Sequence, residues 1–273
     1  MSLPLRHDWK MIFSDIDGNP IGDLFRFSKI KVIERFNLLG YWSLETGDAL
    51  NVWGLLSDGA YKVNILRDSD VFASGFIRSI SGEEEGDTKK IELSGVDELF
   101  YLASRVVYPS TDGNFAADDY DDRTGRAETI VKGYVLDHAS SSAVMAARRW
   151  AALTNELDFG RGDIVSASGR FQNLLEFCTN IFSSGGGLGM RVLDDVFKVY
   201  APRDLSDTVV LSGGLLNIAK QDYRFDYPKG NYIIAGGAGD LTARTFYYSD
   251  DATSISTYGR IEQFVDTKND SGQ

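Results

Sequence analysis

Apolar and polar residues alternate along the first third of the chain in the manner of short strands. In "GAYKVNILRD", Tyr61, Val63 and Ile65 fall on one side and Lys62 and Asn64 on the other, the period of two expected of a half-buried strand. "KIKVIERFNLLGYWSLE" predicts two strands broken near Asn37–Gly40. "DVFASGFIRSI" and "KKIELSG" predict two more, separated by the polar tip "SGEEEGDTK", where Glu83, Glu84 and Glu85 read as a solvated loop. Asp17-Gly18 is a hairpin-turn dipeptide. Strands at this spacing make residues 1–95 an antiparallel barrel or sandwich. Ser94 and Asp97 then have capping-box spacing, which predicts a short helix over "VDELFYLASR" with Leu99, Phe100 and Ala103 on its apolar side.

The period changes to 3.6 in "RAETIVKGYVLDHASS". Ala127, Ile130, Val131, Tyr134, Val135 and Ala139 form one stripe and predict a helix. Gly133 sits inside it at a cost of about 1 kcal/mol, which points to close approach by another element. A second helix is predicted over "RFQNLLEFCTNIFSS", with Phe171, Leu174, Leu175, Cys178, Ile181 and Phe182 as its stripe and Ser168 as N-cap. "LTNELDFGRGDIVSASG", between the helices, reads as one or two short strands. "YPSTDGNFAADDYDDRTGR" carries Asp112, Asp118, Asp119, Asp121 and Asp122 and few apolar residues, the mark of a mobile or partner-dependent surface loop. From Gly187 the chain returns to β: a hairpin around Asp194-Asp195, strands in "TVVLSGGLLNIAKQDYRFDYP", "NYIIAGGAGD", "ARTFYYSD" and "GRIEQFVD", and the polar tail "TKNDSGQ". The expected fold class is α+β, mainly antiparallel β, in three parts: a β-barrel-like domain over 1–105, an inserted α+β domain over 106–200, and a C-terminal β segment over 201–273 completing a second barrel.

Composition narrows the function classes. With 273 residues, 43% of them apolar and 25% charged, the chain reads as a soluble globular protein with room for a sizeable core. No apolar run approaches the ~20 residues of a membrane helix. "MSLPLRHDWK" lacks a signal-peptide core, so synthesis in a reducing cytosol is expected. Cys178 is the single cysteine, which excludes a disulfide within the chain and a Cys-rich zinc site. The net charge of −12, from 40 acidic and 28 basic residues, argues against a protein that grips nucleic acid through its phosphates. The simplest reading of that acidity is that it keeps the protein soluble; it is also compatible with a wall that surrounds DNA without binding it.

No motif supplies chemistry. "SSGGGLGMRV" places Gly185, Gly186, Gly187 and Gly189 in a run that resembles a phosphate cradle. It follows a helix and precedes a strand, so the negative end of the helix dipole faces it, the reverse of a dinucleotide site. A glycine-rich C-cap is expected, with at least one of Gly185–Gly187 at positive φ. "GGAGDLTAR" lies between strands with no following helix and reads as a bend. "DIDGN", counted from Asp15, puts Pro20 and Arg26 where a calcium loop needs glycine and glutamate. His7 and His138 belong to no metal motif, and Cys178 falls on an apolar stripe as core filler. Trp9, Trp42, Trp53 and Trp150 form no cluster in the sequence. No catalytic, cofactor-binding or metal-binding residue is assigned, and no cofactor is expected.

Several stretches in order carry a resemblance: "KVIERFNLLGYWSLE", "YKVNILRDSDVFASGFIRSI", "AETIVKGYVLDHA", "GRFQNLLEFCTNI", "FKVYAPRDLS", "NYIIAGGAGDLTARTFYY" and "GRIEQFVD". Together they span nearly the whole chain, and it resembles a family of siphophage minor tail proteins, regarded as tail-hub or baseplate-hub components. The resemblance implies a non-enzymatic structural protein of the virion tail tip, assembled in the host cytoplasm. It implies a homotrimer of β-barrel-like domains closing the tail tube below the distal tail protein. The tape-measure protein and other tail-tip or receptor-binding proteins are the implied neighbours. Viral DNA would pass through the ring without sequence-specific binding, and no stable membrane insertion is implied. Family chains often run past the "EQFVD" region. The alternative is a carbohydrate-binding or cell-wall-degrading tail module, which requires aromatics clustered on one exposed face or an acid pair across a cleft.

Overall fold

The alternation of the first third is realised as seven strands in a computed structural model that describes residues 8–85, 88–205, 208–209, 228–237, 239 and 244–266. They are β1 (Trp9–Ser14), β2 (Pro20–Leu24), β3 (Lys29–Ile33), β4 (Tyr41–Thr46), β5 (Lys62–Arg67), β6 (Asp70–Glu85) and β7 (Thr88–Asp97). The sheet order is β2-β1-β5-β6-β7-β4-β3, antiparallel throughout. Among the described residues β2 and β3 are not paired, so the sheet stays open rather than closing into a barrel. Gly18 takes a φ of 89° in the β1–β2 turn, as Asp17-Gly18 requires.

One face of this sheet holds Met11, Phe13, Leu44, Val63, Ile65 and Leu93, all buried. It is completed by helix α1 (Ala49–Ser57), whose Val52 and Leu55 join the same core. A Cβ on Gly22 would come within 2.6 Å of the Leu55 side chain, so glycine lets the helix seat against β2. Alternation alone predicts no helix before Ser94. α1 lies in a stretch of only nine residues with apolar side chains all round, too short to show a period.

The opposite face is covered too, although β5 reads as a half-buried strand in the sequence. Phe76 on β6 enters a second core. That core is built from α2 (Phe100–Ala103), α3 (Ala127–His138), α4 (Leu174–Ser184), the pair β8 (Asp121–Arg126) and β10 (Ile164–Gly169), and a sheet in the order β11 (Gly189–Leu193), β12 (Val196–Tyr200), β9 (Thr154–Asn155). The predicted stripes supply it: Val131, Tyr134 and Val135 from α3, and Leu174, Cys178 and Phe182 from α4, are all fully buried. Gly133 is the close approach its position suggested, since a Cβ there would meet the Arg123 guanidinium at 2.6 Å.

Several boundaries differ from expectation. Glu83, Glu84 and Glu85, expected in a loop, end β6 and pair with Lys90, Lys89 and Thr88 of β7. β7 runs through Ser94 to Asp97, and the helix after it is only α2; Asp97 instead accepts a hydrogen bond from Leu99 N at 3.1 Å. α4 begins at Leu174 with Asn173 as its cap, accepting from Leu175 N at 3.0 Å, while Ser168 lies in β10. Phe171 therefore leaves the helical stripe and is half-exposed, with a φ of 59°. The acidic loop is shorter than expected, because Asp121 and Asp122 pair with Gly169 and Ser168 in the β8–β10 ladder.

Residues 1–204 form one compact unit and 205–273 another. In the second, β13 (Tyr232–Gly236) lies between β14 (Phe246–Asp250), antiparallel, and β15 (Glu262–Asp266), parallel. The short helix α5 (Ala252–Tyr258) connects the two outer strands. Every residue of β14 and β15 is exposed. Three expected strands are present here and α5 is additional. The strand expected in "TVVLSGGLLNIAKQDYRFDYP" lies, but for its ends, outside the described residues, as do His7 and the tail 267–273.

Candidate functional site

A cleft of about 680 Å³ opens between β3–β4 of the large sheet and the β11–β12 hairpin. Asn37 fixes one end: its side chain donates to Leu188 O and accepts from Met190 N, both at 2.8 Å, imitating a neighbouring strand. Ser74 and Leu193 line the other end. There the hairpin turns through Asp194 and Asp195, with φ of 54° and 64°, the two-residue turn that the sequence predicted.

This turn delivers Asp195 to a buried group of charges. Lys62, projecting from β5, is only 2% exposed and Glu98 is fully buried. Lys62 Nζ contacts Asp195 Oδ1, lies 3.2 Å from Glu98 Oε1, and is 2.8 Å from Tyr101 Oη. Tyr101 donates its hydroxyl hydrogen to Asp195 Oδ1. Glu98 Oε2 accepts from Ser74 Oγ at 2.7 Å and from Asp195 N at 3.1 Å. Glu98 Oε1 has no directed hydrogen bond, and Lys62 is its nearest charge. The Phe76 and Tyr101 rings flank the ammonium at 5.6 and 5.2 Å. Burial pushes the Glu98 carboxyl up to about 7. Burial also acts to raise Asp195, but the hydrogen bonds from Lys62 and Tyr101 outweigh it and hold that carboxyl below its ordinary range. Sequence reading placed Lys62 on the solvent side of its strand and gave no role to Glu98 or Tyr101.

A second polar array surrounds the end of α3. His138 is fully buried, with Nε2 3.1 Å from Asp121 Oδ2 and Nδ1 3.0 Å from Arg148 Nη1. A guanidinium only donates, so Nδ1 accepts and the ring hydrogen sits on Nε2, facing the carboxylate. Arg123 holds both oxygens of Asp121, at 2.8 and 2.7 Å, and reaches Asp137 at 2.9 Å. Burial lowers the His138 pKa, and Arg148 adds to the effect. The histidine is thus a neutral bridge in the core.

The other residues singled out in the sequence do not converge. Gly186 and Gly187 have φ of 99° and 69°, and Gly187 N donates to Phe182 O at 2.8 Å, closing α4 as a glycine C-cap. A Cβ on Gly185 would meet the Ala127 Cβ at 2.4 Å, so α3 and α4 touch there. Cys178 is fully buried, and burial raises its thiol pKa. Trp42 belongs to one core and Trp150 to the other, while Trp53 is exposed on α1. Aromatics do gather on one surface: Tyr108 and Phe115 meet edge to face at 4.7 Å, and Phe115 and Phe171 at 5.3 Å.

The profile of the family described as Siphovirus ReqiPepy6 Gp37-like protein matches residues 10–271. No curated protein matches the chain. Among solved structures, the chain is similar to prophage tail protein gp18 from Listeria monocytogenes EGD-e, with 10% identity and a TM-score of 0.54 over 96% of this chain and 72% of that one. It is similar to the tail protein from Neisseria meningitidis MC58, with 13% identity and a TM-score of 0.57 over 95% and 70%. The 43 kDa tail protein of prophage MuSo2 from Shewanella oneidensis gives 12% identity and a TM-score of 0.59 over 96% and 73%. At such identities these likenesses are of fold.

Proposed function

The chain belongs to the family of Siphovirus ReqiPepy6 Gp37-like proteins, a phage tail protein of siphovirus type, and on that premise we propose that it is a structural tail-hub component acting without catalysis. The observation that carries this reading is the family match over residues 10–271, joined to a fold shared with three phage tail proteins. In this reading the protein sits at the tail tip as a homotrimeric ring below the distal tail protein and closes the tail tube. The tape-measure protein and receptor-binding proteins are its neighbours. The −12 charge supports a lumen that repels the DNA backbone and lets it slide. The wholly exposed edge strands β14 and β15 support work done through interfaces. Light scattering of the isolated protein at high concentration should give a mass near three protomers. A strict monomer that is also missing from purified tails overturns the reading.

One observation favours a second reading, a carbohydrate-binding tail module: the exposed rings of Phe115 and Phe171, packed with the partly buried Tyr108. Its rings meet edge to face, whereas a sugar platform presents a flat face. Retention of the isolated protein on host cell walls, abolished by Phe115→Ala together with Phe171→Ala, would establish it; unchanged passage removes it.

A further inference from the structure

The buried charges beneath the hairpin turn have an arrangement that ordinary ion pairing does not require. A lysine in the middle of a sheet, an aspartate touching its amine, a second carboxyl within reach of both, and two aromatic rings enclosing them are the parts of a condensation site. We propose that Lys62 and Asp195 become joined by an intramolecular amide bond, with Glu98 carrying the protons and Tyr101 stabilising the developing oxyanion. This goes beyond the tail reading and does not depend on it.

Geometry supplies the approach. Lys62 is held in β5, which is paired on both sides, to β1 and to β6. Asp195 is held in a two-residue turn whose N–H donates to Glu98 Oε2 at 3.1 Å and whose carbonyl accepts from Thr154 N at 2.9 Å. Neither backbone has room to withdraw, so amine and carboxyl stay in contact as an intramolecular pair of high effective concentration. In water an ammonium and a carboxylate do not condense, because the nitrogen has no free lone pair and the carboxylate is a poor electrophile. The Phe76 and Tyr101 rings flank the amine and limit the water around it, and the Lys62–Asp195 contact itself, with Glu98 alongside, is the path by which a proton moves between the two groups. Glu98, raised by burial to about 7, is protonated in a substantial fraction of molecules at neutral pH.

The step balances without any outside reagent. A proton passes from Lys62 Nζ to the Asp195 carboxyl, leaving an amine and an acid. The Nζ lone pair forms a bond to Cγ while the carbonyl pair moves to Oδ1, which Tyr101 Oη–H already faces. Glu98 takes a proton from the new N–C linkage and gives one to the departing hydroxyl. The C–O bond breaks and water leaves on the side where Asp195 is 23% exposed. Ammonium plus carboxylate become amide plus water, with Glu98 regenerated. The bond would tie the large sheet to the β11–β12 hairpin across 133 residues of sequence.

Intact mass spectrometry of the denatured full chain tests this. The folded wild-type protein should be lighter than its sequence mass by one water, about 18 Da. A tryptic digest should contain residues 36–67 joined to residues 192–198 through Lys62 and Asp195. Lys62→Arg and Asp195→Ala should restore the full mass, and Glu98→Gln should leave most molecules unjoined. Wild-type protein at full sequence mass after prolonged incubation at neutral pH, with Lys62 and Asp195 recovered in linear peptides, overturns the proposal. A water loss mapped to a cyclic imide at Asp17-Gly18 overturns it equally. Both of these results are read on the wild-type chain, so a variant that fails to fold does not obscure them.

Discussion

His138 shows how far a single residue departs from what its position in the sequence suggests. At the end of a helix a histidine suits the dipole as a cation. Here it is buried between Asp121 and Arg148, and burial keeps it neutral. Its folded pKa lies below the ordinary histidine value, so the unfolded chain takes up the proton first as pH falls. The stabilising contribution is complete above the unfolded pKa, about 6.5, and is lost as pH falls toward the folded value. Glu98, raised to about 7, titrates in the same window with the opposite sign, and does so in wild type and variant alike, while the lowered pKa of Asp121 acts only at more acid pH. Urea denaturation at pH 7.5 and 5.0 should therefore show wild type losing stability relative to His138→Gln on acidification; an equal change in the two would contradict the neutral-histidine account. The glycine run gives a second expectation at this scale. Gly186→Ala forces a side chain to a φ of 99° and should cost about 1–2 kcal/mol of unfolding free energy. A neutral result would contradict the C-cap account. Lys62 was illegible for a different reason. A period of two separates the faces of a strand but does not tell whether the polar face will be covered, and Lys62 meets Asp195 only through folding across 133 residues.

Among the helices, the long periodic segments were legible and two short ones were not. α3 appears with its expected stripe because twelve residues give the 3.6 period room to show. α1 and α5, at nine and seven residues, do not. The start of α4 was misplaced because Ser168 and Asn173 are both good caps, and the choice falls to packing. Asn173 also donates to Ala103 O at 2.8 Å, which fixes the helix start against the end of α2. Asn173→Ala should therefore destabilise by about 1 kcal/mol or more. Ser168→Ala, exposed on β10, should stay within about 0.5 kcal/mol of wild type. Thermal melts of the two variants check this, and equal losses would restore the cap to Ser168.

At the scale of the whole molecule, the α+β, mainly antiparallel class was legible from periodicity. The openness of the seven-stranded sheet was not, because closure depends on whether β2 and β3 meet, and neither strand's own pattern encodes its edge partner. The proposed tail-hub role rests on family membership, so its decisive test is one of location. A three-dimensional reconstruction of purified tails from a phage encoding this chain should contain it as a three-fold ring at the tail tip, around the end of the tube and below the distal tail protein. Tails that reconstruct completely without density for this fold, or that carry it away from the tube axis, would contradict the tail-hub account.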